Sequence, residues 1–167
     1  MCSFHLTKAR ATTLAGAPRV RFLKPLSAAI LIGTSVSVAS QTDTIHPAEL
    51  TRQDQTGKVF EKPGTTVTRV EDGYLLEFTS MMASDERFGS GMYESGPAVE
   101  VYTADEPYGY DEFMYFLEGG VTLVSSDGTV TEIEAGEAVT IPKEWTGTWT
   151  TQGYRKIWVF YSATPLE

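Results

Sequence analysis

Few residues in this chain can do covalent or metal chemistry. Cys2 is the only cysteine, and His5 and His46 are the only histidines among 167 residues. Cys2 and His5 both fall in an N-terminal segment that reads as removable, and His46 stands alone in a polar stretch, the setting of a solvated linker residue. Thiol nucleophiles, cysteine-built zinc sites, Ser-His-Asp triads and histidine clusters are excluded together. No glycine-rich phosphate loop or dinucleotide fingerprint is present. Carboxylates and aromatic rings remain, gathered at Glu100, Tyr102, Glu106, Tyr108, Tyr110, Glu112, Met114, Trp145 and Trp149. A carboxylate among rings can serve as an acid or base when burial raises its pKa. It can also accept a hydrogen bond from a ligand amine, or join other oxygens around a divalent cation.

The elements that must position these residues have a period of two. Short β-rich runs alternate with turn residues after position 64: Thr65–Val70, Tyr74–Thr79, Met92–Glu94, Ala98–Thr103, Glu112–Leu117, Val121–Ser125, Thr129–Glu134, Ala138–Ile141, Gly147–Thr151 and Arg155–Tyr161. Asp72-Gly73 and Asp127-Gly128 supply hairpin turns, because glycine accepts the positive φ such turns need. Gly119-Gly120 reads as the end of one strand and the start of the next. No stretch after Ser40 has helical periodicity, so the expectation is an all-β sandwich or barrel.

Parity then sorts the site residues. If Glu112 points inward, so do Tyr108, Tyr110, Met114 and Phe116. Gly147 inward brings Trp145 and Trp149 with it, and Glu100 pairs in parity with Tyr102. The result is an aromatic lining with one or two carboxylates, suited to a small ligand. Plain core packing accounts for the same tryptophans, since a barrel this small fills with side chains. Three roles stay open for Glu112: a hydrogen-bonded structural group, a pocket acid or base, or a metal ligand helped by Glu106, Glu100 or Asp111. Arg155 and Lys156 precede an apolar run and read as exposed at its start, with one of them able to reach the barrel mouth.

Charge and the N-terminus bear on location and partners. Residues 1–40 contain Lys8, Arg10, Arg19, Arg21 and Lys24 and no acid. The other 127 residues carry 8 basic and 22 acidic side chains, a net of −14, which repels nucleic-acid phosphate and anionic membranes. The basic segment leads into an apolar run, Leu26 to Ala39, too short for a spanning helix, and exits through small residues to Ser40. We expect residues 1–40 to be a signal peptide cleaved near Ser40, giving a periplasmic or secreted protein. Residues 41–64 read as a weakly ordered leader and 65–167 as the single folded domain.

Asp111-Glu-Phe-Met-Tyr-Phe-Leu-Glu-Gly119, Gly136-Glu-Ala-Val-Thr-Ile-Pro142, Trp145-Thr-Gly-Thr-Trp149 and Arg155-Lys156 together resemble a cupin. Glu112 to Gly119 matches the end of the first cupin motif and Gly136 to Pro142 the start of the second. More narrowly, the chain resembles the small cupins grouped with (S)-ureidoglycine aminohydrolase, over about residues 71–163. The resemblance implies a jelly-roll β-barrel of the RmlC type. It also implies manganese or another divalent metal and, as one reading, hydrolytic release of ammonia from a ureido-glycine compound. The metal-binding histidine positions fall at Glu106, Tyr108 and Gly147, so only Glu112 of the usual ligands is kept. That weighs against a resident metal and toward small-molecule binding without one, and it leaves catalysis undecided. Apolar residues on both faces of Arg155–Tyr161 suggest one face for the core and one for a second copy in a homodimer.

Overall fold

The computed structural model describes residues 44–70 and 73–165. The expected signal segment with Cys2 and His5, and Asp72 of the first hairpin turn, lie outside these residues. Among the described residues, nine antiparallel strands follow the alternation: β1 (Thr66–Val70), β2 (Gly73–Met82), β3 (Phe88–Ser95), β4 (Ala98–Tyr102), β5 (Asp111–Ser125), β6 (Val130–Glu134), β7 (Ala138–Ile141), β8 (Gly147–Thr151) and β9 (Tyr154–Tyr161). They hydrogen-bond in the order β1-β2-β3-β9-β5-β8-β4, with β6 and β7 also paired to β5. The sheet curls into a half-barrel, consistent with the all-β architecture expected from the strand pattern and the jelly roll that the resemblance implies.

One strand differs in kind from its expected form. Gly119-Gly120 does not end a strand but bends one. The first half of β5 pairs with β9 and β7, and its second half pairs with β6 and β8. The register slips between Phe116 and Glu118, immediately before the bend. A Cβ on Gly119 would lie 2.0 Å from the Gly153 carbonyl oxygen, and one on Gly120 would lie 2.4 Å from that of Ile133. Only glycine allows the backbones to close up there, and β5 can then serve both halves of the sheet.

The stretch expected as a weakly ordered leader is also more structured than its composition suggests. Thr51 caps a single helical turn, α1 (Arg52–Gln55), in a reciprocal capping box with Asp54. A 3-10 turn follows at Lys58–Glu61, with Val59 fully buried. Lys62 bridges back to Asp54 at 2.6 Å and sits 5.7 Å from the centre of the Phe78 ring on β2. These are local and tertiary bonds that composition does not report.

The core fills the concave side. Met114, Phe116, Val121, Leu123, Ile133, Ile141, Trp149, Tyr154, Trp158 and Phe160 are all buried. Along β9, burial alternates strictly, with Tyr154, Lys156, Trp158 and Phe160 inside. Two glycines on β3 make room for the rings. A Cβ on Gly91 would meet the Trp158 ring at 2.6 Å, and one on Gly89 would meet the Phe160 ring at 2.7 Å.

Candidate functional site

The inner wall combines an aromatic cluster with a buried ion pair. On β5, Glu112, Met114 and Phe116 face inward and are almost completely buried. The Lys156 ammonium reaches across from β9 to Glu112 Oε1 at 2.8 Å and to Met114 Sδ at 2.9 Å. The side chains of Lys156 and Glu112 are 1% and 5% exposed, so this is an interior pair. The Tyr108 hydroxyl donates to the other Glu112 oxygen, Oε2. Three rings surround the ammonium, with their centres 5.5 Å (Trp149), 5.7 Å (Tyr93) and 5.8 Å (Tyr154) away. Carboxylate and π-faces together compensate the charge that burial would otherwise penalise. Lys156 was expected at an exposed strand start. It lies inside because β9 begins one residue earlier, at Tyr154, and parity carries every second residue to the core.

The expected ligand residues form one contiguous group. Tyr102 donates to Glu100 Oε2 at 2.6 Å and meets Tyr108 edge-on at 5.2 Å. Tyr108 lies 5.1 Å from Tyr110 and stacks parallel to Trp149 at 6.5 Å. Trp145 is half-buried in the loop before β8, packs on Tyr102 at 5.6 Å and donates from Nε1 to Ser125 Oγ. These residues pack on one another as core as well as wall. A groove of about 610 Å3 lies elsewhere, over Thr122, Glu132, Thr150 and Gln152, and none of the expected ligand residues lines it.

Glu77, Tyr93 and Tyr154 were missed by sequence reasoning, and Lys156 was placed at the strand start or barrel mouth rather than in the wall. Glu77 is half-buried on β2, and its register partner Tyr93 is in turn the partner of Lys156, so all three share the inner face. Burial pushes the Glu77 carboxyl up to about 7; the Lys156 charge pulls it down and the Glu112 charge adds to the rise. The available sequence signal was the alternation Tyr154, Lys156, Trp158, Phe160, which puts the lysine on an aromatic face.

A divalent metal does not fit this donor set. Lys156 places a positive charge on the one carboxylate retained from the usual ligands. Of the expected helpers, Glu106 is exposed on the loop between β4 and β5 and its backbone N–H donates to Thr103 Oγ1, Glu100 accepts the Tyr102 hydroxyl, and Asp111 accepts the Lys143 backbone N–H. A side chain at position 147 would meet the Val124 carbonyl oxygen at 2.2 Å, so an imidazole cannot stand there. No group of three or more His, Cys, Asp or Glu poised to hold a metal occurs among the described residues.

Comparison with known proteins agrees with this architecture. Residues 85–157 match the EutQ-like cupin domain. The chain is similar in fold to a protein of unknown function from Pseudomonas syringae pv. tomato, with a TM-score of 0.50 and 18% identity, over 57% of this chain and 43% of that one. This chain therefore spans less than half of that protein's length. It also aligns with Clostridium difficile EutQ at a TM-score of 0.45 and 22% identity, over 62% of this chain and 74% of that one. With ectoine synthase from P. lautus the TM-score is 0.48 and the identity 14%, over 66% of this chain and 75% of that one. No curated protein matches the chain in sequence.

Proposed function

We propose that this cupin is an exported protein that binds a small organic molecule on the aromatic inner face of its curled sheet, without a resident metal. The observation that carries the reading is the Glu112–Lys156 pair: the chain supplies its own cation where the fold family would bind a metal. Around that pair, Tyr102, Tyr108, Tyr110 and half-buried Trp145 offer apolar area with polar tips, the composition of a small-ligand site. With both Glu112 oxygens engaged and no metal donor set among the described residues, a metal-dependent aminohydrolase reading has no support in the site.

The test is a small-molecule screen read by melting temperature and by tryptophan fluorescence. A ligand should quench Trp145 and raise the melting temperature, and Trp145→Phe should remove the quench. A chain that melts at one temperature against all compound classes would refute the binding reading. Export rests on the N-terminal pattern of basic residues, short apolar run and small-residue exit. N-terminal sequencing of protein recovered from the periplasm or medium should begin near Gln41. A second copy is proposed against the outer face of β5 and β9, where Phe113, Tyr115 and Tyr161 are exposed. Light scattering that gives a monomer mass would remove that copy.

A further inference from the structure

We propose that the ligand of the inner face is an organic ammonium ion and that Glu77 is the residue that receives it. This rests on the small-molecule reading above and names its ligand class. Thr66, Glu77, Tyr93, Lys156 and Phe116 are successive register partners across β1, β2, β3, β9 and β5. Directly opposed residues share a face, so half-buried Glu77 lies on the same inner face as Lys156, two strands nearer the edge of the sheet. Among the described strand residues, the inner faces carry three carboxylates, Glu77, Glu100 and Glu112, against one cation, Lys156.

Those carboxylates are not equally answered. Glu112 is held by Lys156 and Tyr108, and Glu100 accepts the Tyr102 hydroxyl. Glu77 makes no hydrogen bond or ion pair among the described residues. It is half-buried, so its charge has lost part of its water without gaining a partner, and its carboxyl is pushed up to about 7 as a result. An entering ammonium would restore that partner, and its apolar body would lie against Leu75 and Tyr93 on the same face. An anionic ligand has no comparable reception. The Lys156 ammonium is already held by Glu112, Met114 and three rings, and its side chain is 1% exposed.

The experiment titrates the full chain with two matched probe sets: benzylammonium, benzyl alcohol and benzoate, then n-butylammonium, butanol and butyrate. Melting temperature and tryptophan fluorescence are followed at pH 6 and pH 8. The ammonium member of each set should bind, more tightly at pH 8, where Glu77 is ionised. Glu77→Gln should weaken that binding by about tenfold to a hundredfold, the range of a lost charged hydrogen bond. Glu112, Lys156 and the Tyr93 phenol also face Glu77. Glu77→Gln leaves them in place, so the pH dependence should vanish with it. Binding of the alcohol or the carboxylate in preference to the ammonium would overturn the inference and leave the small-molecule reading standing. So would ammonium binding unchanged by Glu77→Gln or equal at the two pH values. If no probe of any class binds, both fall.

Discussion

Glu112 and Glu77 are the same side chain on the same aromatic wall, yet the fold treats them in opposite ways. Glu112, on the central strand β5, has an ammonium on one oxygen and a phenol on the other and is sealed from water. Glu77, on β2 toward the edge of the sheet, keeps some exposure and has no partner among the described residues. A fully answered carboxylate holds strands together and has nothing left to offer a ligand. A half-desolvated, unanswered one costs stability and gains most when a ligand arrives. The contrast separates what builds this interior from what could use it.

The largest expected effect comes from breaking the answered pair. Lys156→Met leaves the Glu112 charge buried without its cation, with only the Tyr108 hydroxyl on it, and should lower unfolding stability by about 3–5 kcal/mol in denaturant titrations. Lys156→Met combined with Glu112→Leu should recover most of that loss, because no charge is then stranded. A double variant as unstable as the single one would mean that the pair's charges are not the cause. Next comes the wall behind the pair. A Cβ on Gly91 would lie 2.1 Å from the Phe78 carbonyl oxygen and 2.6 Å from the Trp158 ring. Gly91→Ala should therefore cost about 2–3 kcal/mol, with altered near-ultraviolet circular dichroism from the displaced indole.

The unanswered carboxylate should behave with the opposite sign. Its folded pKa, about 7, lies above the ordinary carboxylate value of 4.5. Between those values the folded chain holds a proton that the unfolded chain has released, so stability falls as pH rises from about 4.5 through 7. Glu77→Gln removes that dependence. Relative to the unsubstituted chain it should gain about 1–2 kcal/mol at pH 8 and nothing at pH 4, in melts run across that range. The smallest effect should come from the rim. Glu118 is 70% exposed where it meets Arg155 at 2.8 Å. Glu118→Ala should change stability by no more than about 0.5 kcal/mol in the same denaturant titrations.

Much of the fold was legible because β-structure writes itself locally. Alternation sets which residues of a strand share a face, and Asp-Gly or Gly-Gly marks where the chain changes course. Glu112, Met114 and Phe116 could be placed together, as could Glu100 with Tyr102, from parity within single strands. Gly119-Gly120 was visible as a feature but not as a bend, since whether a glycine pair ends a strand or kinks it depends on Gly153 and Ile133 approaching from elsewhere. The capped turn at Thr51–Asp54 was missed although its capping box is local; what the sequence did not report is that Lys62 bridges back to Asp54 and sits over Phe78 of β2.

The sequence by itself determined the β-alternation, the scarcity of thiols and imidazoles, and the aromatic character of the inner wall. These follow from residue type and spacing alone. Only the tertiary structure decided which strands lie side by side, and so that Lys156 pairs with Glu112 while Glu77 makes no ion pair among the described residues. Pairing between distant strands is set by how the whole sheet curls. A side chain's charge is answered or left unanswered by what that curl brings within a few ångströms of it.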